Sequence, residues 1–143
     1  MNADGSNPTL VPNTVGGVMA AWSPDGTRIA YVSDQTGSSQ IYAVNVDGTG
    51  SATQLTNSPA GKCNLSPRYA PEGDRIVFAS DRGGGSACGG AACLAIYTMR
   101  ADGSRVRKVT TDSLDAGVPD WSPDGNNIDV LGGLIHEYVA EAA

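Results

Sequence analysis

The chain has 143 residues and a mass of 14.6 kDa, and 40% of its residues are hydrophobic and 17% charged, which suits one globular domain. Its net charge of −6 and pI of about 4.4 argue against a protein that binds nucleic acid or an anionic membrane, because both need a basic face. No apolar run approaches the roughly 20 residues of a membrane-spanning helix. Residues 1–14 lack the basic and apolar regions of a secretory signal, so none is expected at this end.

Three segments of the chain are similar to one another and define a repeat. Their aromatic residues, Trp22, Tyr69 and Trp121, follow one another at intervals of about 50 residues. A period of this length is typical of the blades of a β-propeller rather than of helical repeats. The three segments are AWSPDGTRIAYVSD at 21–34, RYAPEGDRIVFASD at 68–81 and DWSPDGNNIDVLGG at 120–133.

Each repeat predicts four short strands in chain order. The first strand ends at the aromatic residue, and Ser-Pro-Asp-Gly forms a turn because Pro restricts φ and Gly tolerates positive φ. β-branched and aromatic runs predict the second and third strands, and an Asp-Gly pair predicts the hairpin after them. In the first two copies these elements are 28–32 and 75–79 for the second strand, 40–46 and 95–101 for the third, 47–48 and 102–103 for the hairpin, and 55–56 and 109–110 for the end of the outer strand.

The two ends of the chain are complementary in this pattern. Residues 134–140 read as the third strand of a last blade that lacks an outer strand, although 134–143 also contain good helix formers, and a terminal helix is the alternative. Residues 8–11 read as an outer strand without a blade of its own. The predicted division is therefore 1–14 as an outer strand that completes the last blade of a partner, 15–58 as blade 1, 59–112 as blade 2 and 113–143 as blade 3.

The elements W-S-P-D-G, I-A-Y-x-S-D, I-Y-x-x-N-x-D-G and L-T resemble the repeat of the TolB-type (PD40, WD40-like) β-propeller family over roughly residues 1–130. The third copy departs from it, because Asn126 and Asn127 replace a charged lead-in and Asp129 enters the second strand. The resemblance implies an all-β fold and a ring of six blades. Three four-stranded blades alone would leave two apolar faces open, so we expect a six-bladed propeller formed as a strand-swapped homodimer. The alternative is a fragment of a longer propeller.

Repeated aromatic and acidic residues have structural roles in this interpretation. Trp22, Tyr69 and Trp121 are expected to pack between blades rather than to stack on a ligand. The repeated carboxylates are expected to accept N–H bonds within their own turns, because no D-x-D-x-D-G calcium loop is present. These carboxylates are Asp25, Glu72 and Asp124 in the first turn, and Asp4, Asp47 and Asp102 in the second.

The three cysteines leave several pairings open. Cys88 and Cys93 share one Gly-rich loop, whereas Cys63 stands apart. With one histidine in the chain, a Cys/His zinc site is hard to assemble. The alternatives are a Cys88–Cys93 disulfide, a disulfide from Cys63 to one of them, or three free thiols.

Catalytic signals are weak. The single histidine, His136, stands where other copies have a tyrosine, and there is no G-x-S-x-G element. We therefore expect a non-enzymatic protein without a cofactor, although inner-strand carbonyls and the acidic charge are compatible with a cation in the central channel.

Function is expected on the rim that carries the variable loops. Candidate binding residues near this rim or the channel mouth are Arg68, Arg82 and Asp120. The favoured function is a scaffold that binds a protein or small ligand, because the resemblance implies an interaction module and a periplasmic or other extracytoplasmic location. The alternatives are a propeller enzyme such as a metal-dependent lyase, a fragment of a hydrolase-associated propeller, or a half-propeller relic that only assembles. The loops of this rim are 34–39, 57–66, 81–94 and 111–118.

Overall fold

The computed structural model describes residues 4–83, 94–110, 118–131 and 137–138, with the backbone alone for 131, 137 and 138. All regular secondary structure in these ranges is β, as the repeat predicts, and no helix long and apolar enough to span a membrane occurs in them. The strands are β1 (Val18–Trp22), β2 (Arg28–Ser33), β3 (Gln40–Asn45), β4 (Thr53–Gln54), β5 (Asn64–Tyr69), β6 (Arg75–Ser80), β7 (Ala95–Arg100), β8 (Arg107–Lys108), β9 (Val118–Trp121), β10 (Asn127–Leu131) and β11 (Glu137–Tyr138).

The strands form three separate antiparallel sheets in chain order. The strand orders are β1-β2-β3-β4 in blade 1, β5-β6-β7-β8 in blade 2 and β11-β10-β9 in blade 3. Strand β11 pairs with β10, with Tyr138 opposite Asn127. The expectation of a strand rather than a terminal helix is therefore confirmed at residues 137–138, and the rest of 134–143 lies outside the described residues. His136 also lies outside them.

Apolar side chains cover both faces of the central strands. Strands β2 and β6 are buried from their second residue to their last, because each of these sheets has a neighbour or a covering segment on either side. The outer strands are only two residues long. The Leu-Thr element explains their short length, since the N–H of Leu55 donates to the carbonyl of Ile41 and the Thr56 hydroxyl accepts the Ile41 N–H at 2.8 Å.

Blades meet through faces of different side-chain size. We term the face that packs on the preceding blade the leading face and the opposite one the trailing face. Small residues such as Ala30 and Ala43 on the trailing face of blade 1 meet Phe78 and Tyr97 on the leading face of blade 2. The second junction brings the trailing face of blade 2 against Trp121 in blade 3. The aromatic side chains of each junction thus belong to the later blade.

Within this chain Tyr69 and Trp121 pack between blades and Trp22 does not, so packing of Trp22 on a blade of a partner stays a prediction. Tyr69 and Trp121 are 9% and 8% exposed, whereas Trp22 is 58% exposed. Each of these residues belongs to a leading face, and Tyr69 and Trp121 pack on the blade before them. No blade precedes blade 1 among the described residues, so the indole of Trp22 stays in solvent.

The N-terminal segment lies along the leading face of blade 1. The Tyr31 hydroxyl donates to the carbonyl of Asn13 at 3.1 Å, and the Ser33 hydroxyl donates to the carbonyl of Val15 at 2.7 Å. The predicted outer strand at 8–11 is not a strand within its own chain, and Leu10 is 91% exposed. That this segment completes a blade of a partner stays a prediction.

Candidate functional site

The loops of the predicted binding rim meet where blades 1 and 2 join. The N–H of Asn64, at the start of β5, donates to the carbonyl of Ser39 in the β2–β3 loop of blade 1 at 2.9 Å. On the opposite rim the N–H of Val46 donates to the carbonyl of Thr27, which brings the two kinds of turn together. The turns and the variable loops therefore occupy opposite ends of the blade 1 sheet, as the sequence predicts.

Gln40 is the centre of a buried polar network under this rim. Its Oε1 accepts the Thr56 hydroxyl at 2.9 Å, the Ser58 N–H at 3.2 Å and Asn64 Nδ2 at 3.0 Å. Its Nε2 donates to Ser38 Oγ and to the carbonyl of Ser58. Buried amides that use both ends in this way fix the relative positions of the segments they join.

Asn64 extends the network into blade 2. The side chain is fully buried, and its Oδ1 accepts Arg82 Nη2 at 2.6 Å and lies 3.0 Å from Ser80 Oγ. Its Nδ2 donates to the carbonyl of Ser39 at 3.1 Å. Neither Gln40 nor Asn64 was predicted from the sequence. The available signal was that each is a polar residue at the first position of a strand.

Arg82, a predicted binding residue, has much of its hydrogen-bonding capacity used inside the molecule. Its guanidinium carbon lies 5.0 Å from the centre of the Phe78 ring and 5.4 Å from that of Tyr97, two rings stacked 5.7 Å apart. Burial lowers the pKa of Arg82 from its usual value, which Tyr97 partly opposes. The half-buried arginine covers the apolar junction of blades 1 and 2 at the rim.

Asp81 anchors the loop between the blades. Its carboxylate is completely buried, Oδ1 accepts the Cys63 N–H at 2.8 Å, and Oδ2 lies 3.8 Å from Lys62 Nζ. Cys63 itself is disulfide-bonded, which agrees with the alternative in which this cysteine takes part. Cys88 and Cys93 lie outside the described residues, and so does their predicted pairing with each other.

Arg68 and Asp120 are the other two predicted binding residues. In the described part of the chain they do not form an ion pair with each other. Arg68 Nη1 donates to the carbonyl of Pro67 at 3.2 Å. Asp120 is exposed, and its Oδ1 accepts the N–H of Trp121 at 2.9 Å. The carbonyl of Arg68 accepts the indole N–H of Trp121 at 3.2 Å, so the backbone at this position belongs to a blade junction.

Carboxylates of the first turn accept hydrogen bonds within that turn. Asp25 Oδ1 accepts the Ser23 hydroxyl at 2.6 Å and the Thr27 N–H at 3.0 Å, which together lower the pKa of Asp25. Asp124 accepts the Ser122 hydroxyl at 2.5 Å, and the pKa of Asp124 is lowered as well. This arrangement agrees with a capping role.

The second turns have the same chemistry. Asp47 Oδ1 accepts the hydroxyl and the N–H of Thr49 at 2.7 and 2.9 Å, and these bonds lower the pKa of Asp47. Asp4 and Asp102 each accept the N–H two residues further on, at 2.8 Å. Each carboxylate is therefore occupied with its own backbone.

The capping role predicted for Glu72 is wrong. Ala70 replaces the turn serine, and Glu72 accepts no hydrogen bond from its own turn among the described residues. Its Oε2 lies 3.7 Å from Arg75 Nη2. The carboxylate lies beside Gly125 of blade 3, where an added Cβ would come within 2.6 Å of it. Glu72 thus reaches from one blade to the next.

Metal-ligating side chains are scattered in the described ranges. No group of three or more His, Cys, Asp or Glu residues that could hold a metal occurs in them.

Comparison with known proteins identifies this architecture. A family model described as the TolB beta propeller domain (PD40) matches residues 2–133. The chain belongs to the TolB β-propeller family. Uncharacterized protein Atu1656 of Agrobacterium fabrum is 30% identical over 124 residues, which cover 87% of this chain and 39% of that protein. Uncharacterized peptidase YuxL of Bacillus subtilis is 34% identical over 112 residues, 75% of this chain and 16% of that protein.

Solved structures agree with this assignment. The putative TolB from Agrobacterium tumefaciens superposes with a TM-score of 0.72 at 30% identity, over 87% of this chain and 41% of that one. An oligogalacturonate lyase in complex with manganese shares the fold alone, with a TM-score of 0.52 at 17% identity over 71% of this chain and 26% of that one. The chain thus spans well under half the length of these relatives.

Proposed function

We propose that this chain is a non-catalytic propeller scaffold that binds a protein or a small ligand through its rim loops and the channel mouth. The observation that carries this proposal is the buried network of Gln40 and Asn64, which holds rim segments of two blades in one arrangement. A surface that is ordered before binding loses less conformational entropy when a partner docks. Scaffolds of this kind place recognition on the loops that the network supports.

Selection of displayed peptides tests the rim as the binding surface. Peptides are selected on the wild-type protein and then measured against Gln35→Arg on the β2–β3 loop and Ser51→Arg beyond the opposite turn, since both positions are exposed. We expect binding to fall at least about tenfold with Gln35→Arg and to stay unchanged with Ser51→Arg. Peptides that tolerate both changes, or that respond only to the Ser51 variant, would contradict the rim as the binding surface.

The non-catalytic part of the proposal has its own test. Elemental analysis of the purified protein is expected to find no stoichiometric transition metal. A stoichiometric metal would instead favour the lyase alternative, because a bound metal supplies Lewis-acid chemistry. The described side chains form no cluster that could hold such a metal.

We also propose that a second copy completes the ring. The N-terminal segment and β1 leave Leu10, Val15, Val18, Met19 and Trp22 exposed, and residues 5–24 contain no charged residue at all. Large apolar faces of this kind are rare on monomers. In this arrangement residues 1–14 supply the missing outer strand of the partner's blade 3.

Light scattering over a range of protein concentrations tests this assembly. We expect a mass of twice the 14.6 kDa of one chain, and we expect Trp22→Ala or deletion of residues 1–10 to shift it towards one chain. Val106→Ala is the control, because this valine is also exposed but belongs to the β7–β8 connection. A single-chain mass at every concentration would contradict the two-copy ring.

An extracytoplasmic compartment is proposed with the scaffold. The Cys63 disulfide supports it, because such bonds persist in oxidising environments. Thiol labelling of protein taken from its native cells should leave Cys63 unmodified until a reductant is added. Labelling of Cys63 without reductant would contradict this location.

A further inference from the structure

The junction between blades 2 and 3 shows how a leading face is covered in this protein. The guanidinium carbon of Arg75 lies 4.6 Å from the centre of the Trp121 ring, and Arg75 Nη2 donates to the carbonyl of Gly125 at 3.2 Å. One arginine at the start of β6 thus contacts both the aromatic residue and the turn of the next blade. A cation over an indole face is a favourable contact when it is shielded from water.

The first junction uses the equivalent residue. Arg28 starts β2 as Arg75 starts β6, and burial raises the pKa of Tyr69 while the nearby charge of Arg28 opposes that rise. An arginine thus begins the second strand in both blades that have a blade after them, and its charge is near the aromatic residue of that next blade. At the start of β10 the corresponding residue is Asn127.

The trailing face of blade 3 also differs at its centre. Asp120 on β9 and Asp129 on β10 lie directly opposite one another in the sheet, and both are exposed. The equivalent residue to Asp129 is Ala30 in blade 1 and Val77 in blade 2, and both are completely buried under the next blade. Like charges directly opposite one another on a sheet are unfavourable in themselves.

Closing a ring with a second copy would bring this acidic face against Trp22. The exposed apolar residues beside Trp22 are Val18 and Met19, and residues 5–24 contain no basic side chain to compensate the carboxylates. Removing a carboxylate from water costs free energy even where it has a partner. The joint would also lack the arginine that begins the second strand of blades 1 and 2 and that lies over Trp121 in the second junction.

We propose that the trailing face of blade 3 docks on the Trp22 face of a second copy, and that Asp120, Asn127 and Asp129 hold this joint weak, so that the ring opens and closes. This inference rests on the two-copy ring proposed above. The occupant is a second copy because both junctions within the chain join a trailing face to the repeated aromatic residue of the next blade. The trailing face of blade 3 and the exposed Trp22 are the corresponding surfaces that the described residues leave uncovered.

Grafting the residues of blade 2 onto blade 3 tests the inference. The variant Asn127→Arg/Asp129→Val restores the residues found at Arg75 and Val77, and its dimer dissociation constant is measured by sedimentation equilibrium. We expect a value at least about tenfold smaller than that of the wild type. Adding Trp22→Ala to the grafted variant should cancel the gain.

Two further variants keep the result interpretable. Asn126→Arg/Asp34→Val makes the same change in net charge at exposed positions off this face, and its dissociation constant should equal that of the wild type. Asp120→Asn/Asp129→Asn removes the charges without altering side-chain shape, and it should tighten the dimer even if the grafted variant folds poorly.

The outcomes separate this inference from the two-copy ring. A wild-type dimer that neither the graft nor the Asn pair tightens overturns the inference and leaves the ring standing. A gain that survives Trp22→Ala places the contact elsewhere and overturns it too. Wild type and variants that all remain single chains overturn both.

Discussion

Trp121 and Trp22 occupy the same position of the same W-S-P-D-G motif, and the structure treats them in opposite ways. Trp121 donates its indole N–H to the carbonyl of Arg68 and lies under Arg75, whereas Trp22 is mostly in solvent. The turns follow the same division. A Cβ added at Gly125 would meet Glu72, while one added at Gly26 would meet nothing within 4 Å. The motif therefore specifies a surface for contact, and the preceding blade supplies the burial.

The largest expected effect is at the buried member of this pair. Trp121→Ala removes a large side chain from the second junction and should lower the free energy of unfolding by about 3–5 kcal/mol. Trp22→Ala should cost less than about 1 kcal/mol in the single chain, because most of its surface is already exposed. Urea unfolding at low protein concentration measures both. Equal losses would contradict the difference between the two faces.

The polar network gives the next largest effect. Asn64→Ala removes one buried partner from Gln40 and one from Arg82 and should cost about 1–3 kcal/mol in urea unfolding. Asn45→Ala is the matched control, since Asn45 bonds only within its own exposed turn and should change stability less. In blade 1 the position equivalent to Asn64 is occupied by Gly17. A larger loss at Asn45 would show that the network does not stabilise the junction.

Arg75 tests the coverage of the second junction more finely. Arg75→Met keeps much of the apolar stem but removes the charge over Trp121, and we expect a loss of about 1 kcal/mol. Arg100→Met is the control, because Arg100 ends β7 and is exposed. Tryptophan fluorescence should also change in the Arg75 variant. No difference between the two variants would mean that the contact with the indole contributes nothing.

The smallest effect concerns the exposed turns, which are alike on both sides of the comparison. Hydrogen bonds lower the pKa of Asp25 and of Asp124 in the folded protein. Because the pKa of each aspartate is lowered in the folded state, its contribution to stability is complete above the unfolded-state pKa of about 3.9. That contribution is lost as the pH falls below this value. Melting temperature should therefore fall from pH 5 to pH 2 less steeply in Asp25→Asn than in wild type. An identical slope would contradict this role.

Local features of the fold follow from the sequence because they depend on a few neighbouring residues. The Ser-Pro-Asp-Gly turn closes at Gly26, whose φ is +71°, and its Asp25 caps it as expected. The Leu-Thr element ends the outer strand through Thr56. Glu72 departs from this pattern because Ala70 removes the turn hydroxyl, a change that is visible in the sequence.

Long-range polar contacts were not predictable in the same way. Gln40 and Asn64 are far apart in the chain and belong to different blades, and only the packing of those blades brings their amides within 3.0 Å. Arg82 was predicted to bind a partner because it lies in a loop of the variable rim. Its guanidinium instead packs inward on the stacked rings of Phe78 and Tyr97 and donates to the side-chain Oδ1 of Asn64.

The sequence by itself determined the repeat, the turns and the strand that follows each turn, because these depend on local backbone preferences and on the alternation of side chains. Only the tertiary structure decided which equivalent residues are buried. Burial depends on whether another blade covers the face, and that differs between Trp22, Tyr69 and Trp121 although their local sequences are alike.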